Sequence, residues 1–196
     1  VAPGRLFLGA GAYQHYTPAA AMNLINRGEF VTCYTPYQAE VSQGTLQAIF
    51  EFQSHICALT GMEVANASMY DGATSLAEAI LMSIRVKKTQ AVAIPQTLHP
   101  NYRSVCETFL QGIGAKFHEI AANEGVSDYS SFAGTEKLAA VVVQTPNFYG
   151  ALEDVRAARE LADRTGALLI AVCIPAALAL IAPPGEFGAD IAVGEA

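Results

Sequence analysis

Asp71-Gly-Ala-Thr-Ser75 joins a glycine that lets backbone approach a ligand to two hydroxyls that can donate, and an apolar run of helical period follows. The free N–H groups at a helix start attract an anion, so the run could cradle a phosphate. The same residues would also start an ordinary helix, with Ser75 and Glu78 as a capping box, and spacing leaves both readings open. His99 follows a short apolar run and precedes Pro100, where an imidazole could stack on a flat cofactor or simply lead into a helix. After the next apolar run, Asn147 of Thr145-Pro-Asn147 could bond a ring substituent or, with Gly150, make only a turn. Gly9-Ala-Gly11 lacks the third glycine and the strand-to-helix setting of a dinucleotide site. His15, His55 and His118 have no sequence neighbour that marks them out.

The elements that must position these residues belong to a chain of 196 residues, enough for one domain with a real core. Half the residues are hydrophobic and 15% charged, which suits a buried sheet or a large partner interface and excludes disorder. A net charge of −7 leaves no basic excess for phosphates, and Arg85 to Lys88 reads as a solvated helix end, so no nucleic acid is expected. Apolar stretches are broken every few residues by Pro, Gly or charge, and no membrane span is expected. Val-Ala-Pro-Gly-Arg5 carries neither a secretory pattern nor an initiator Met, so residue 1 need not be the native start. Cys33, Cys57, Cys106 and Cys173 are scattered without metal-ligand spacing; they read as buried thiols of a reducing compartment, the cytoplasm.

Thr17 as cap, Pro18 at the first position and Gly28 as stop predict a first helix through Arg27. Cys33 to Gly44 lacks either period and reads as an ordered loop. A long amphipathic helix is expected from Thr45 to a left-handed cap at Gly61, and another from the Asp71 turn to about Arg85. Ala91 to Ile94, Ala139 to Val143, Leu168 to Val172 and Ile191 to Val193 read as buried strands, and Lys116 to Ile120 as a more exposed one. Helices at Asn101 to Gln111 and Asp154 to Thr165, stopped by Gly112 and Gly166, complete a βαβα alternation. That alternation favours a mostly parallel sheet sandwiched by helices.

Tyr34-Thr-Pro-Tyr-Gln-Ala-Glu-Val-Ser-Gln-Gly-Thr-Leu-Gln47 and Ala67-Ser-Met-Tyr-Asp-Gly-Ala-Thr74 closely resemble the P-protein of the glycine cleavage system, in its amino-terminal half or separate subunit 1. The resemblance runs from Gly9-Ala-Gly-Ala-Tyr13 to Pro183-Pro-Gly-Glu186 and Gly188-Ala-Asp190. It implies an α/β chain with the large domain of pyridoxal-phosphate-dependent transferases, the aspartate aminotransferase-like fold. Residues 1–44 would be an amino-terminal helix and ordered loop, and 45–196 part of that large domain, with its carboxyl-terminal remainder absent. The implied activity is that of a decarboxylating glycine dehydrogenase, which uses pyridoxal phosphate to decarboxylate glycine and pass the aminomethyl group to a lipoylated carrier, the H-protein. The cofactor ring takes up the electrons left as carbon dioxide departs.

By family position, Gly72, Ala73 and Thr74 lie where the phosphate is held, His99 where a ring stacks, and Asn147 beside a ring substituent. Tyr34, Pro36, Tyr37 and Gln38 resemble a segment at the active-site entrance. Two departures stand out. Only Lys87, Lys88, Lys116 and Lys137 are present and none follows the last strand, so no Schiff-base lysine is expected here; in the family that lysine belongs to subunit 2. Ile174 stands where such folds place an Asp against the pyridine nitrogen. Asp190 belongs to the Gly-Ala-Asp motif and is not its replacement. The resemblance thus implies an accessory subunit whose partner holds the cofactor. The alternatives are a self-sufficient transaminase or desulfurase fragment, or a silent binding or scaffold homologue.

Overall fold

A computed structural model describes residues 15–134 and 136–195; Gly9-Ala-Gly11 and the rest of the first fourteen residues lie outside them. In chain order the elements are α1 (Ala19–Ile25), α2 (Gly28–Val31), α3 (Gln43–Thr60), α4 (Gly72–Lys87), β1 (Ala91–Pro95), α5 (Pro100–Gln111), β2 (Lys116–Ile120), β3 (Ala122–Asn123), β4 (Val126–Ser127), β5 (Ala140–Thr145), α6 (Val155–Thr165), β6 (Leu168–Cys173), a 3-10 turn (Pro175–Ala179) and β7 (Ile191–Gly194).

Five strands form one parallel sheet in the order β2-β1-β5-β6-β7. Its strands alternate between two apolar faces, as the pleat dictates. Val92, Ile94, Ala140, Val142, Ile170 and Val172 face α4 and α5, whereas Ala91, Ala93, Val141, Val143, Leu169 and Ala171 face α6. Both faces are covered, which is why β1, β5 and most of β6 read as uninterrupted apolar runs. All five predicted strands are present. The short antiparallel pair β3–β4 was not visible in the sequence pattern because two residues carry no period.

Several boundaries differ from expectation, each for a local reason. Pro18, not Thr17, caps α1, and the helix ends at Ile25 because the Asn26 amide donates to the Met22 carbonyl at 2.7 Å and Arg27 turns extended. Gly28 therefore opens α2 instead of stopping α1. Helix α3 begins at Gln43, two residues early, and ends at Gly61 in the left-handed conformation expected. The capping box of α4 is Asp71 with Thr74, not Ser75 with Glu78, since the Asp71 carboxylate reaches the Thr74 N–H at 2.7 Å. That helix continues past Arg85 to Lys87. Gly112 stays right-handed after α5, and the left-handed turn falls at Gly114. Cys33 is exposed, not buried, while Cys106 and Cys173 are buried as expected.

The amino-terminal arm differs from the sheet layers. Helices α1 and α2 bury no residue, and the eighteen residues of α3 bury only Thr60. The carboxyl end of α3 is fastened where the Gly185 N–H donates to the Thr60 carbonyl at 2.9 Å.

Candidate functional site at the carboxyl edge of the sheet

Strand order decides where the site lies. From β1 the chain moves outward through α5 to β2, and from β5 it moves the other way through α6 to β6 and β7. The two crossovers therefore run to opposite sides of the sheet, and this change of direction marks the carboxyl ends of β1 and β5 as the usual ligand position in open α/β sheets.

His99 stands on the β1 side of that edge. It caps α5: its Nδ1 accepts from the Asn101 N–H at 3.2 Å, and Pro100 takes the first helical position. Its own N–H donates to the Gln144 side-chain carbonyl at 2.8 Å, which ties β1 to β5 at the edge. The ring lies 5.0 Å from Phe148, edge to face, and 5.4 Å from Tyr102. Phe148 is placed by its N–H, which donates to the Thr97 carbonyl at 3.0 Å.

Asn147 lies on the β5 side, 2% exposed, after a cis peptide between Thr145 and Pro146. Its amide donates to the Gly125 carbonyl at 2.8 Å and to Glu153 Oε1 at 2.7 Å. Its oxygen accepts from the N–H groups of Tyr149 and Ala151. A carboxamide has two donor hydrogens and two lone pairs, so this one is fully spent within its own loop and on the β3–β4 turn. The turn at Gly150 expected from sequence is present, with φ +83°.

Behind Asn147 the carboxylate of Glu153 is 7% exposed. It accepts from the Thr97 hydroxyl at 2.6 Å, the Ser127 N–H at 2.8 Å and the Ser127 hydroxyl at 3.2 Å, besides Asn147. Neutral donors, with the Thr97 and Ser127 hydroxyls also 2.6 Å apart and sharing a bond, satisfy the buried carboxylate and lock β4 to the loops after β1 and β5. Nearby Tyr129 donates to the Val142 carbonyl, and burial, aided by the Glu153 charge, raises its phenol well above the ordinary range.

Gly72 to Thr74 start α4 on the far side of Tyr102. The Thr74 N–H and hydroxyl both bond the Asp71 carboxylate at 2.7 Å, and the Ser75 hydroxyl donates to the Asp71 carbonyl at 2.6 Å. The Thr74 N–H and hydroxyl hold the Asp71 carboxyl below the usual carboxylate range. The Gly72 N–H donates to Glu195 Oε1 at 3.2 Å, and the Tyr102 hydroxyl donates to the same oxygen at 3.1 Å. Any side chain at position 72 would collide with the Tyr102 hydroxyl, so glycine is required for that ring to lie across the helix start.

The structure thus places Gly72 to Thr74 and His99 on either side of Tyr102, with Asn147 in the neighbouring loop after β5. Sequence reasoning missed Tyr102, although its spacing of three from His99 puts both on one face of α5. It also missed Glu153 and Glu195, which carry no local signal. The Tyr34 to Gln38 loop lies apart: Tyr34 and Tyr37 are 84% and 82% exposed, and its hydrogen bonds are local. His118, expected to lack a partner, has one in Glu136, 2.7 Å away. Asp190 accepts from the Leu169 N–H and from Arg159, so it joins β7 to α6 and does not replace the carboxylate missing at Ile174.

The lysines are all at the other end. Lys87 and Lys88 close α4 ahead of β1, Lys116 opens β2, and Lys137 precedes β5. The carboxyl edge, among the described residues, offers no lysine; it has Ile174 at the end of β6 and a carboxylate at the α4 start. None of the four lysines named above is placed to hold pyridoxal phosphate covalently.

Residues 3–196 match the family described as glycine cleavage system P-protein. The chain is 53% identical over 191 residues to a protein of Desulforamulus reducens called probable glycine dehydrogenase (decarboxylating) subunit 1. It is 49% identical over 191 residues to one of the same name from Geobacillus thermodenitrificans. Each match covers 96% of this chain and 43% of the relative, so the chain spans less than half the length of these relatives. Among solved structures it resembles an inhibitor-bound glycine decarboxylase (P-protein) of the glycine cleavage system, with TM-score 0.90 and 48% identity over 96% of this chain and 43% of that one. A NifS-like protein shares the fold alone, with TM-score 0.68 and 11% identity over 89% of this chain and 49% of that one. The parallel sheet between helix layers is that of the pyridoxal-phosphate-dependent transferases. No helix among the described residues is long and apolar enough to cross a membrane.

Proposed function

The chain belongs to the glycine cleavage system P-protein family, and on that premise we propose that it acts as subunit 1 of a decarboxylating glycine dehydrogenase, an oxidoreductase, through a homologous subunit 2. Subunit 2 carries the pyridoxal phosphate covalently. The pair decarboxylates glycine and passes the aminomethyl group to the lipoylated H-protein, in the cytoplasm.

The observation that carries this reading is the match, over 96% of the chain, to relatives called probable glycine dehydrogenase (decarboxylating) subunit 1. An amine at the carboxyl edge is what anchors the aldehyde of the cofactor, and all four lysines named above lie at the amino end of the sheet. Gly72, Ala73, Thr74, His99 and Asn147 are then the architecture shared with a cofactor-binding partner. The amino-terminal arm supports a partner as well. Phe50 is 66% exposed on a helix that buries one residue, Phe52 and Leu59 of the same helix are exposed, and so are Met22 of α1 and Phe30 of α2. In the full-length assembled protein this surface would be covered, with Tyr34, Pro36, Tyr37 and Gln38 near the partner's active-site entrance. A self-sufficient transaminase or desulfurase and a silent scaffold have no observation in their favour.

The test is reconstitution. Full-length protein mixed with subunit 2, glycine, pyridoxal phosphate and lipoylated carrier should release carbon dioxide only when both subunits are present. Turnover by this protein alone would overturn the proposal.

A further inference from the structure

We propose that the Glu195 carboxylate is an internal substitute for a phosphate group, closing the amino end of α4 to anions and tying that helix to the carboxyl end of β7. It deepens the accessory-subunit reading and rests on it for its meaning, because a subunit whose partner carries the cofactor needs no phosphate site of its own.

A helix start with its N–H groups turned to water invites an anion. Here the invitation has been answered from within the chain. Glu195 Oε1 takes the Gly72 N–H and the Tyr102 hydroxyl together. Of the other donors of the turn, the Thr74 N–H and hydroxyl and the Ser75 hydroxyl are spent on Asp71, which leaves the Ala73 N–H between the two carboxylates. Two carboxylates thus stand at one helix start, with a combined charge close to that of a phosphate monoester, roughly −1.5 to −2 at neutral pH. A phosphate arriving there would have to expel Glu195 and settle beside the ionised Asp71.

Two glycines build the arrangement. At Gly72 a side chain would strike Tyr102, so only glycine lets that phenol meet the carboxylate over the helix start. At Gly194 a side chain would strike the Cys173 carbonyl, so only glycine keeps the end of β7 flush against β6 and carries Glu195 to α4. The contact joins residues 123 positions apart in sequence, which a casual surface interaction would not require of two constrained glycines.

The experiment is a titration of the isotopically labelled full-length protein with inorganic phosphate, read at the Gly72 and Ala73 amide resonances. The wild-type amides should stay unmoved at millimolar phosphate. In Glu195→Ala they should shift saturably, with apparent affinity higher by about tenfold or more, and their faster hydrogen exchange should slow again when phosphate is added. Glu195→Gln, which keeps the shape and one acceptor but loses the charge, should gain less and serves if the alanine variant loosens α4. Equal binding by wild type and variants, or no binding by any of them, would overturn the proposal. Activity is not the readout, so failure here leaves the accessory-subunit reading standing, and failure of reconstitution leaves this one standing.

Discussion

The Thr97 hydroxyl donates to Glu153 Oε1 at 2.6 Å, both residues buried, and so binds the loop that carries His99 to the loop that carries Asn147. Every group around that carboxylate is a donor. Replacing it with an amide turns one acceptor into a donor facing the Ser127 N–H or the Thr97 hydroxyl. Glu153→Gln should therefore lower stability by about 1–3 kcal/mol, read from the urea midpoint of the full-length protein. An unchanged midpoint would show that water, not Glu153, satisfies these donors.

Gly185 meets Gly61 backbone to backbone, and a Cβ at 185 would run into the Gly61 carbonyl. Backbone cannot swing aside as a side chain does. Gly185→Ala should cost on the order of 1–3 kcal/mol, and the loss should be local: amide exchange at Cys57 to Gly61 should quicken far more than in β5. Uniform acceleration across the sheet would contradict this anchoring of α3.

Burial pushes the Cys106 thiol up to about 12, with the Glu107 charge adding to it, and Cys173 up to about 11, from an ordinary 9.0. Each native thiol stays protonated where its unfolded counterpart ionises. Their contribution to stability is complete below pH 9.0 and is lost as pH rises towards 11 and 12. Iodoacetamide at mildly alkaline pH should accordingly label exposed Cys33 before Cys106 or Cys173, as peptide mass spectrometry would report. Early labelling of Cys106 would place it outside the core.

Pyridoxal phosphate with borohydride should leave no stoichiometric adduct on one lysine of the isolated 196-residue chain, because Lys87, Lys88, Lys116 and Lys137 all sit away from the carboxyl edge of the sheet. Scattered low labelling is expected of exposed amines. One fully modified lysine would place an amine in the site.

How much of this was legible depends on the range of the signal. Val141 and Val143 announce a buried strand within a few residues, and Gly61 and Gly166 announce helix ends by the left-handed turn they permit. His99 and Gly72 were legible as candidates because a helix start is a local event. That Tyr102 stands between them was less so, since it depends on how α4 packs against α5. Glu153 and Glu195 were illegible: a carboxylate before a helix or after an edge strand looks solvated until the fold supplies its donors. Asn147 was legible as a polar group at the edge, but its complete internal use depends on Gly125 and Glu153, which only the folded chain brings near.

The sheet order also sets a folding sequence. Val92 finds Ala140 only after α5, β2 and the small hairpin have been traversed, while β1 meets β2 across a single helix. Closing the longer loop costs more chain entropy, so the middle of the sheet should be sealed last, and the unsealed β1 and β5 would expose adhesive apolar backbone in the nascent protein. Pulse-labelled exchange during refolding should protect β1–β2 amides ahead of β1–β5; the opposite order would refute it.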